Sequence, residues 1–295
     1  MKRDFFQHKI THPKQFRIED HPTEPSDRMK DKESLEIIEK NVSRINDMQQ
    51  MLYAKGSHSV LIVFQAMDAA GKDGTLRRLL TGVNPQGCKI SNFKRPTPEE
   101  LSHDFLWRVT KKLPPKGYIG LFNRSHYEEV LVTRVHPEYI LYQNIPSIKE
   151  VKDIHQSFWN TRFERIRSYE QHLAESGMLI LKFFLHVGYD EQRERIQERM
   201  DNPEKHWKFN VGDVKERAYW KEYMQSYEEA IRETSRPNAP WFVIPADDKD
   251  YMRAAVCHIV RKEMEKLGLT YPESGENIAE EIAEGKAIFA KEDAG

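Results

Sequence analysis

Two patterns of apolar positions alternate along most of this chain. Leu35, Ile38, Val42, Ile45, Met48 and Leu52 recur every three or four residues and predict a helix with one apolar face, ended by Gly56. Short strand-like runs follow at Val60–Phe64, Lys89–Phe93, Tyr118–Phe122, Leu179–Val187 and Trp241–Ile244. Between them, helices are predicted over Thr75–Val83, from Pro96 through Trp107 to Lys112, over residues 147–176, and over Asp190–Met200, Val214–Thr234 and Tyr251–Leu267. Apolar runs separated by helices in this order make an α/β fold, a mostly parallel sheet covered on both faces. Its chemistry should gather beyond the C-terminal ends of the strands. Residues 1–30, with Pro13, Pro22 and Pro25 among charges, read as an extended arm, 31–270 as a single domain, and 271–295 as an acidic tail.

The first strand end carries the clearest chemistry. Ser59–Thr75 reads SVLIVFQAMDAAGKDGT: an apolar β-branched run, a small-residue loop with Gly71, Lys72 and Gly74, then a helix start. At such a helix N-terminus, backbone N–H groups and the helix dipole favour an anion, and Lys72 adds a mobile positive charge. The G-x-x-x-x-G-K-[ST] pattern is met as a variant, with Ala66 at the first glycine and Asp73 at the hydroxyl position. Asp68 would repel a phosphate unless a cation stood between them, which makes it a candidate Mg²⁺ ligand. The plainer alternative is a strand–helix turn capped by an aspartate.

A second strand end lies in Leu121–Arg134, LFNRSHYEEVLVTR. In phosphate-loop enzymes this place supplies the metal-side residue. Here it is Asn123, a weaker ligand that could act through water. Arg124 and Arg134 can grip phosphates bidentately. Glu128 could hold an acceptor nucleotide or a second metal. Equally, Ser125 can cap a helix with Glu128 in its first turn, as S-x-x-E, and a lone His126 is more often structural. Further on, Arg193, Arg195 and Arg199 precede DNPEKHWKFNVGDVKER, where Lys205, Lys208 and Arg217 surround Trp207 and Phe209. Charge runs are usually solvated faces. This one, at about 193–217, lies where lids close over phosphates and exclude water. Arg77 and Arg78 either extend the cationic track or are simply exposed, and without an anion they oppose the helix dipole.

Composition narrows the partners. The 295 residues are 38% hydrophobic, ample for a core, and 32% charged with a net charge of -1. No global attraction to nucleic acid is expected, so anion binding must come from local clusters. Cys88 and Cys257 form no metal or disulfide pattern, which fits a reducing compartment. The N-terminus has no apolar signal core, and no stretch approaches the ~20 apolar residues of a membrane span. The protein is expected to be soluble and cytoplasmic, with no nucleic-acid or membrane partner. Apolar positions on the first helix and on 147–176 would suit a homodimer or homotetramer, although core packing accounts for them as well.

QAMDAAGKDGT, FNRSHYEEVLVTRV and DNPEKHWKFNVGD resemble the three signature regions of the polyphosphate kinase 2 family, and the likeness runs from about Leu35 to about Leu267. It takes in NPQG at Asn84–Gly87, ELSHDFLWR at Glu100–Arg108 and APWFVIPADDK at Ala239–Lys249. The resemblance implies a P-loop NTPase fold of the thymidylate-kinase-like kind, a five-stranded parallel sheet with a helical lid. It also implies reversible, Mg²⁺-dependent transfer of the terminal phosphoryl of inorganic polyphosphate to nucleoside mono- and diphosphates, AMP and ADP and also GMP and GDP, with Mn²⁺ as an alternative ion. By the same resemblance, Asp68 would hold the metal. Lys72 would bind the transferring phosphate together with Ala69, Ala70, Gly71, Asp73, Gly74 and Thr75. Asn123 stands where many members have Asp, and it and Glu128 would be weaker metal contacts. Arg77, Arg78, Arg124, Arg134, Arg199 and Lys208 would contact phosphates. Glu128 resembles the glutamate of the class III members, which accept both AMP and ADP. Two rivals remain at this point: an ATP-dependent nucleotide kinase of the same fold, and a nucleotide-binding module without turnover, which the many separate cations disfavour.

Overall fold

Strands β1 (Ser59–Gln65), β2 (Cys88–Asn92), β3 (Ile119–Asn123), β4 (Met178–His186) and β5 (Trp241–Pro245) form one sheet in the order β2-β3-β1-β4-β5, every pair parallel. The computed structural model describes residues 3–273, 275 and 277–293. All of β1 is buried, as a run apolar on both faces requires of a central strand. Phe64, Phe183 and Phe242 stack across β1, β4 and β5 at 5.4 and 5.3 Å between ring centroids. The order places the end of β1 between the ends of β3 and β4, where the sheet changes direction of growth. A crevice opens at such a point.

The longer helices are α1 (Asp31–Lys55), α2 (Lys72–Leu79), α3 (Gln156–Glu175), α4 (Tyr189–Asp201), α5 (Trp220–Thr234), α6 (Lys249–Glu265) and α7 (Ile278–Glu292). α1 packs along α6 through the predicted stripe, burying Ile38, Val42, Ile45, Met48 and Leu52, while Leu35 stays exposed. Gly56 ends α1 at φ 59°, donating its N–H to the Leu52 carbonyl. Among the described residues no helix is long and apolar enough to cross a membrane.

Three helix expectations are corrected. The segment 147–176 becomes helical only at Gln156, because Asp153 accepts the N–H groups of Lys149 and Glu150 at 2.9 and 3.1 Å and holds a turn there. The stretch from Pro96 to Lys112 splits into Pro98–Leu101 and Trp107–Thr110, since Asp104 caps a fresh start by accepting the Leu106 N–H. Residues 211–234 form a short helix (Val211–Glu216), a 3-10 turn (Arg217–Tyr219) and α5. Residues 3–30, the expected arm, run through three 3-10 turns and lie on the domain, with Phe5, Ile10, Phe16 and Met29 buried and Ile10 N–H bonded to the Trp241 carbonyl. In the acidic tail, α7 leaves Ile282, Ile288 and Phe289 exposed. Residues 1, 2, 274, 276, 294 and 295 of these termini lie outside the described residues.

Burial pushes the Cys88 and Cys257 thiols up to about 11 and about 12, so neither is a reactive thiolate. Burial also lowers His8 and His186 to about 4. Both are therefore neutral when folded, whereas in the unfolded chain they take up protons near pH 6.5. Their contribution is complete above pH 6.5 and lost as pH falls toward 4, up to about 3 kcal/mol each. Thermal melts from pH 7.5 to 4.5 should show Tm falling across this window, with a shallower slope for His8→Gln. An identical slope for that variant would exclude His8 as a source.

Candidate active site

The loop from Ala66 to Gly71 joins β1 to α2 and turns sharply. Gly71 sits at φ 106°, and a Cβ there would lie 3.0 Å from Met252 Cε. Ala69 takes φ 63°, a left-handed conformation that strains any non-glycine residue. The loop is held by its carbonyls. Lys72 Nζ donates to the Ala66 and Met67 oxygens at 2.9 and 3.1 Å. Gln192 donates to Asp68 O at 3.0 Å, and Arg195 to Ala69 O and Ala70 O at 3.3 and 3.0 Å. Every carbonyl from Ala66 to Ala70 thus has a protein donor, which sets the peptide planes before any ligand arrives. Arg195 also donates to Ala246 O and Asp247 O at 2.7 and 3.0 Å, tying the loop to the end of β5.

Beside the loop, the end of β3 delivers its side chains. Arg124 stands at φ 61° and donates to Asp68 Oδ1 at 2.6 Å, with Glu128 at 3.5 Å on its other side. Burial disfavours the Asp68 carboxylate, but Arg124 and Lys72 outweigh it and hold its pKa below the usual value. For Glu128, burial prevails over the same two cations, with Asp68 adding, and its pKa is raised. Glu128 and Asp68 in turn raise the Arg124 pKa against its own burial. Burial lowers Lys72, which Asp68 partly offsets. Two carboxylates in one cleft are thus shifted in opposite directions, Asp68 down by its cations and Glu128 up by burial. Asn123 donates to Asp73 Oδ1 at 2.7 Å, so the expected metal-side residue is bound to the one at the hydroxyl position.

The capping-box alternative is half realised. Ser125 Oγ accepts the Tyr127 N–H at 3.2 Å and caps a 3-10 turn, His126–Glu129. The Glu128 carboxylate instead faces Arg124 and Gln65, whose amide, oriented by its hydrogen-bond network, donates to Glu128 Oε1 at 2.9 Å and accepts the Ser125 N–H.

A cavity of about 340 Å³ opens from this cluster. Asp68, Arg124 and Glu128 line it, together with Lys94, Arg95, Arg108, Phe105, Tyr139 and Tyr142. The Arg95 guanidinium lies over the Tyr139 and Tyr142 rings at 5.7 and 5.9 Å. Apolar rings with a few converging cations suit a flat, anionic ligand. Asn210, Gly212 and Asp213, from the expected lid segment, complete the wall.

The remaining expected residues divide. Arg199 joins the cluster: it pairs with Asp213 at 3.1 Å and helps lower Asp68. Arg77 and Arg78 lie on the flank of α2, where both help lower Arg253, a shift due mainly to burial. Lys208 is exposed in the 3-10 turn Pro203–Lys208, its ammonium over the Trp207 ring at 4.9 Å. Arg134 is not brought to the loop. Its guanidinium is taken by Gln156 at 2.8 Å and Glu229 at 3.1 Å and lies over the Trp159 ring. Short helix Val132–Val135 turns the expected phosphate-contacting guanidinium toward α3 and α5. Gln192 and Arg195 as loop supports, Gln65 beside Glu128, and the Arg95–Tyr139–Tyr142 wall were not anticipated. Gln192, Arg195 and Ile196 share the buried face of α4, a spacing that could have marked the first two as inward.

Comparison with known proteins shows what the chain is similar to. The sequence model of the family "Polyphosphate kinase 2 (PPK2)" matches residues 28–270. An "ADP-polyphosphate phosphotransferase" of Rhodopseudomonas palustris is 50% identical over 239 residues, 81% of this chain and 82% of the relative. An "AMP/ADP-polyphosphate phosphotransferase" of Meiothermus ruber is 48% identical over 239 residues, 81% of this chain and 84% of the relative. The crystal structure of Polyphosphate Kinase 2 from Arthrobacter aurescens superposes with a TM-score of 0.83 at 34% identity, covering 94% of each chain.

Proposed function

From the premise that the chain belongs to the polyphosphate kinase 2 family, and is a transferase acting between polyphosphate and nucleotides, we propose that it moves the terminal phosphoryl of inorganic polyphosphate reversibly to AMP and ADP, and to GMP and GDP, in the cytoplasm. The observation that carries this reading is the meeting of Asp68, Lys72 and Arg124 at adjacent strand ends, with a ring-lined cavity beside them and Arg199 of α4 close enough to help lower Asp68. Such transfer needs positioning, positive charge and exclusion of water more than covalent help from the protein.

In this reading Lys72 exchanges a loop carbonyl for an oxygen of the transferring phosphate, and Arg124 steadies the same group. The loop from Ala69 to Thr75 cradles it, with Asn123 orienting Asp73. Arg77, Arg78, Arg199 and Lys208 line the polyphosphate path, and 193–217 is the lid. Phe105, Tyr139 and Tyr142 hold the acceptor base, and Lys94, Arg95 and Arg108 attract its phosphates. Phosphoryl transfer of this class needs a divalent ion. Among the described residues no three His, Cys, Asp or Glu side chains could hold one. A single oxygen donor suits Mg²⁺, or Mn²⁺ in its place, which Asp68 would hold with phosphate and water oxygens supplying the rest, and Asn123 and Glu128 as outer contacts. The ion would neutralise charge on the transferring phosphates. Exposed Leu35 and Tyr53 on α1 support the further expectation of a homodimer or homotetramer.

The test is incubation with Mg²⁺, polyphosphate and AMP, ADP, GMP or GDP in turn, with products resolved chromatographically. No nucleoside di- or triphosphate from any acceptor would overturn the reading. Glu128→Asn should lower kcat/KM for AMP by about tenfold and for ADP much less. Equal losses would remove Glu128 as the selector between acceptors.

A further inference from the structure

Behind the site lies a polar network that the reaction does not touch. Lys182, in the middle of β4, is fully buried, and Glu170 of α3 is 2% exposed. Lys182 Nζ donates to Glu170 Oε2 at 2.6 Å, to Tyr127 Oη at 2.8 Å and to the Thr234 carbonyl at 2.9 Å, so all its donors are used. Tyr127 Oη in turn donates a hydrogen bond to Glu170 Oε1 at 2.8 Å, and His126 Nε2 lies 3.3 Å from the same oxygen. Burial lowers Lys182 to about 8, which still leaves it charged at neutral pH, while Lys182 and His126 outweigh burial to keep Glu170 ionised.

A buried ion pair is a poor source of stability, because desolvation offsets most of its Coulombic gain, and an apolar replacement of similar volume is often as stable. What such a network can supply is a unique arrangement. Here it grips His126 and Tyr127, the third and fourth residues of the five-residue turn from Arg124 to Glu128. Arg124 is held at φ 61°, a strained conformation that persists only where neighbours over-determine it. The network supplies that determination from below, and the Arg124 N–H bond to Phe64 O at 3.0 Å supplies it from the side.

We propose that Glu170 is a positioning residue: through Tyr127 and His126 it sets the turn that presents Glu128 to the acceptor and Arg124 to the phosphate being transferred to it. This rests on the acceptor site assigned above. The test compares wild type, Tyr127→Phe and the triple variant Tyr127→Phe/Glu170→Leu/Lys182→Met, each assayed with AMP and polyphosphate varied separately and each melted thermally. Tyr127→Phe removes one hydroxyl and keeps the ring. It should raise the acceptor KM or lower kcat by about tenfold while the polyphosphate KM stays within twofold. The triple variant, if folded, should keep the wild-type Tm and show a larger loss of the same kind. Wild-type kcat and acceptor KM in Tyr127→Phe, or a change confined to Tm, would overturn the proposal even if the triple variant fails to fold. Wild type without transfer would instead overturn the acceptor assignment itself, so the two failures are distinguishable.

Discussion

Lys72→Met should lose phosphoryl transfer by about 10³-fold or more and remain folded. Lys72 is 9% exposed, and its amine, spent on two carbonyls of the loop, stands close enough to Asp68 to help lower it. Methionine matches its length and apolar stem. The two carbonyls it abandons would cost about 1–2 kcal/mol, partly offset because a buried charge is no longer desolvated. Steady-state rates with polyphosphate and ADP, alongside a thermal melt, decide the matter. A soluble variant within tenfold of wild type would deprive Lys72 of its proposed place. Asp68→Asn tests the other half of the cluster: it keeps a partner for Arg124 but not the anionic charge, and a comparable loss is expected.

Arg195→Met is expected to have the largest effect on stability. One guanidinium, 6% exposed, satisfies four carbonyls, two in the phosphate loop and two after β5, and pairs with Glu191 at 2.6 Å. Removing it strands buried acceptors and should cost about 3–5 kcal/mol, or on the order of 10 °C in Tm. Arg195→Lys should rescue little, because a single ammonium cannot reproduce the planar fork that spans both segments. At a temperature where the variant is still folded, transfer should also fall, since the loop carbonyls lose their template. An unchanged Tm would show that those bonds contribute nothing net.

The contrast between Arg195 and Arg124 explains how much could be read in advance. Both are arginines in motif segments that the sequence singles out. Arg124 follows an apolar run that stops abruptly, and a side chain released at a strand end must enter the crevice, so its place was legible. Arg195 sits on a helix whose charges read as a lid, and only the packing of α4 onto the loop shows that it faces inward. Arg134 shows the opposite case. It shares the motif with Arg124, yet a turn of short helix rotates it to Glu229 and Trp159. Within the 147–176 segment, a single aspartate side chain, that of Asp153, delays the helix to Gln156.

Local pattern alone determined the alternation of strands and helices, the glycine-bearing loop after β1 and the buried stripe of α1, because periodicity and backbone freedom act between near neighbours. The tertiary structure decided which cations meet, which way each carboxylate is shifted, and what supports the loop from behind. Those depend on distance and desolvation between residues as far apart as Asp68 and Arg124, or Glu170 and Tyr127, and no spacing along the chain encodes them.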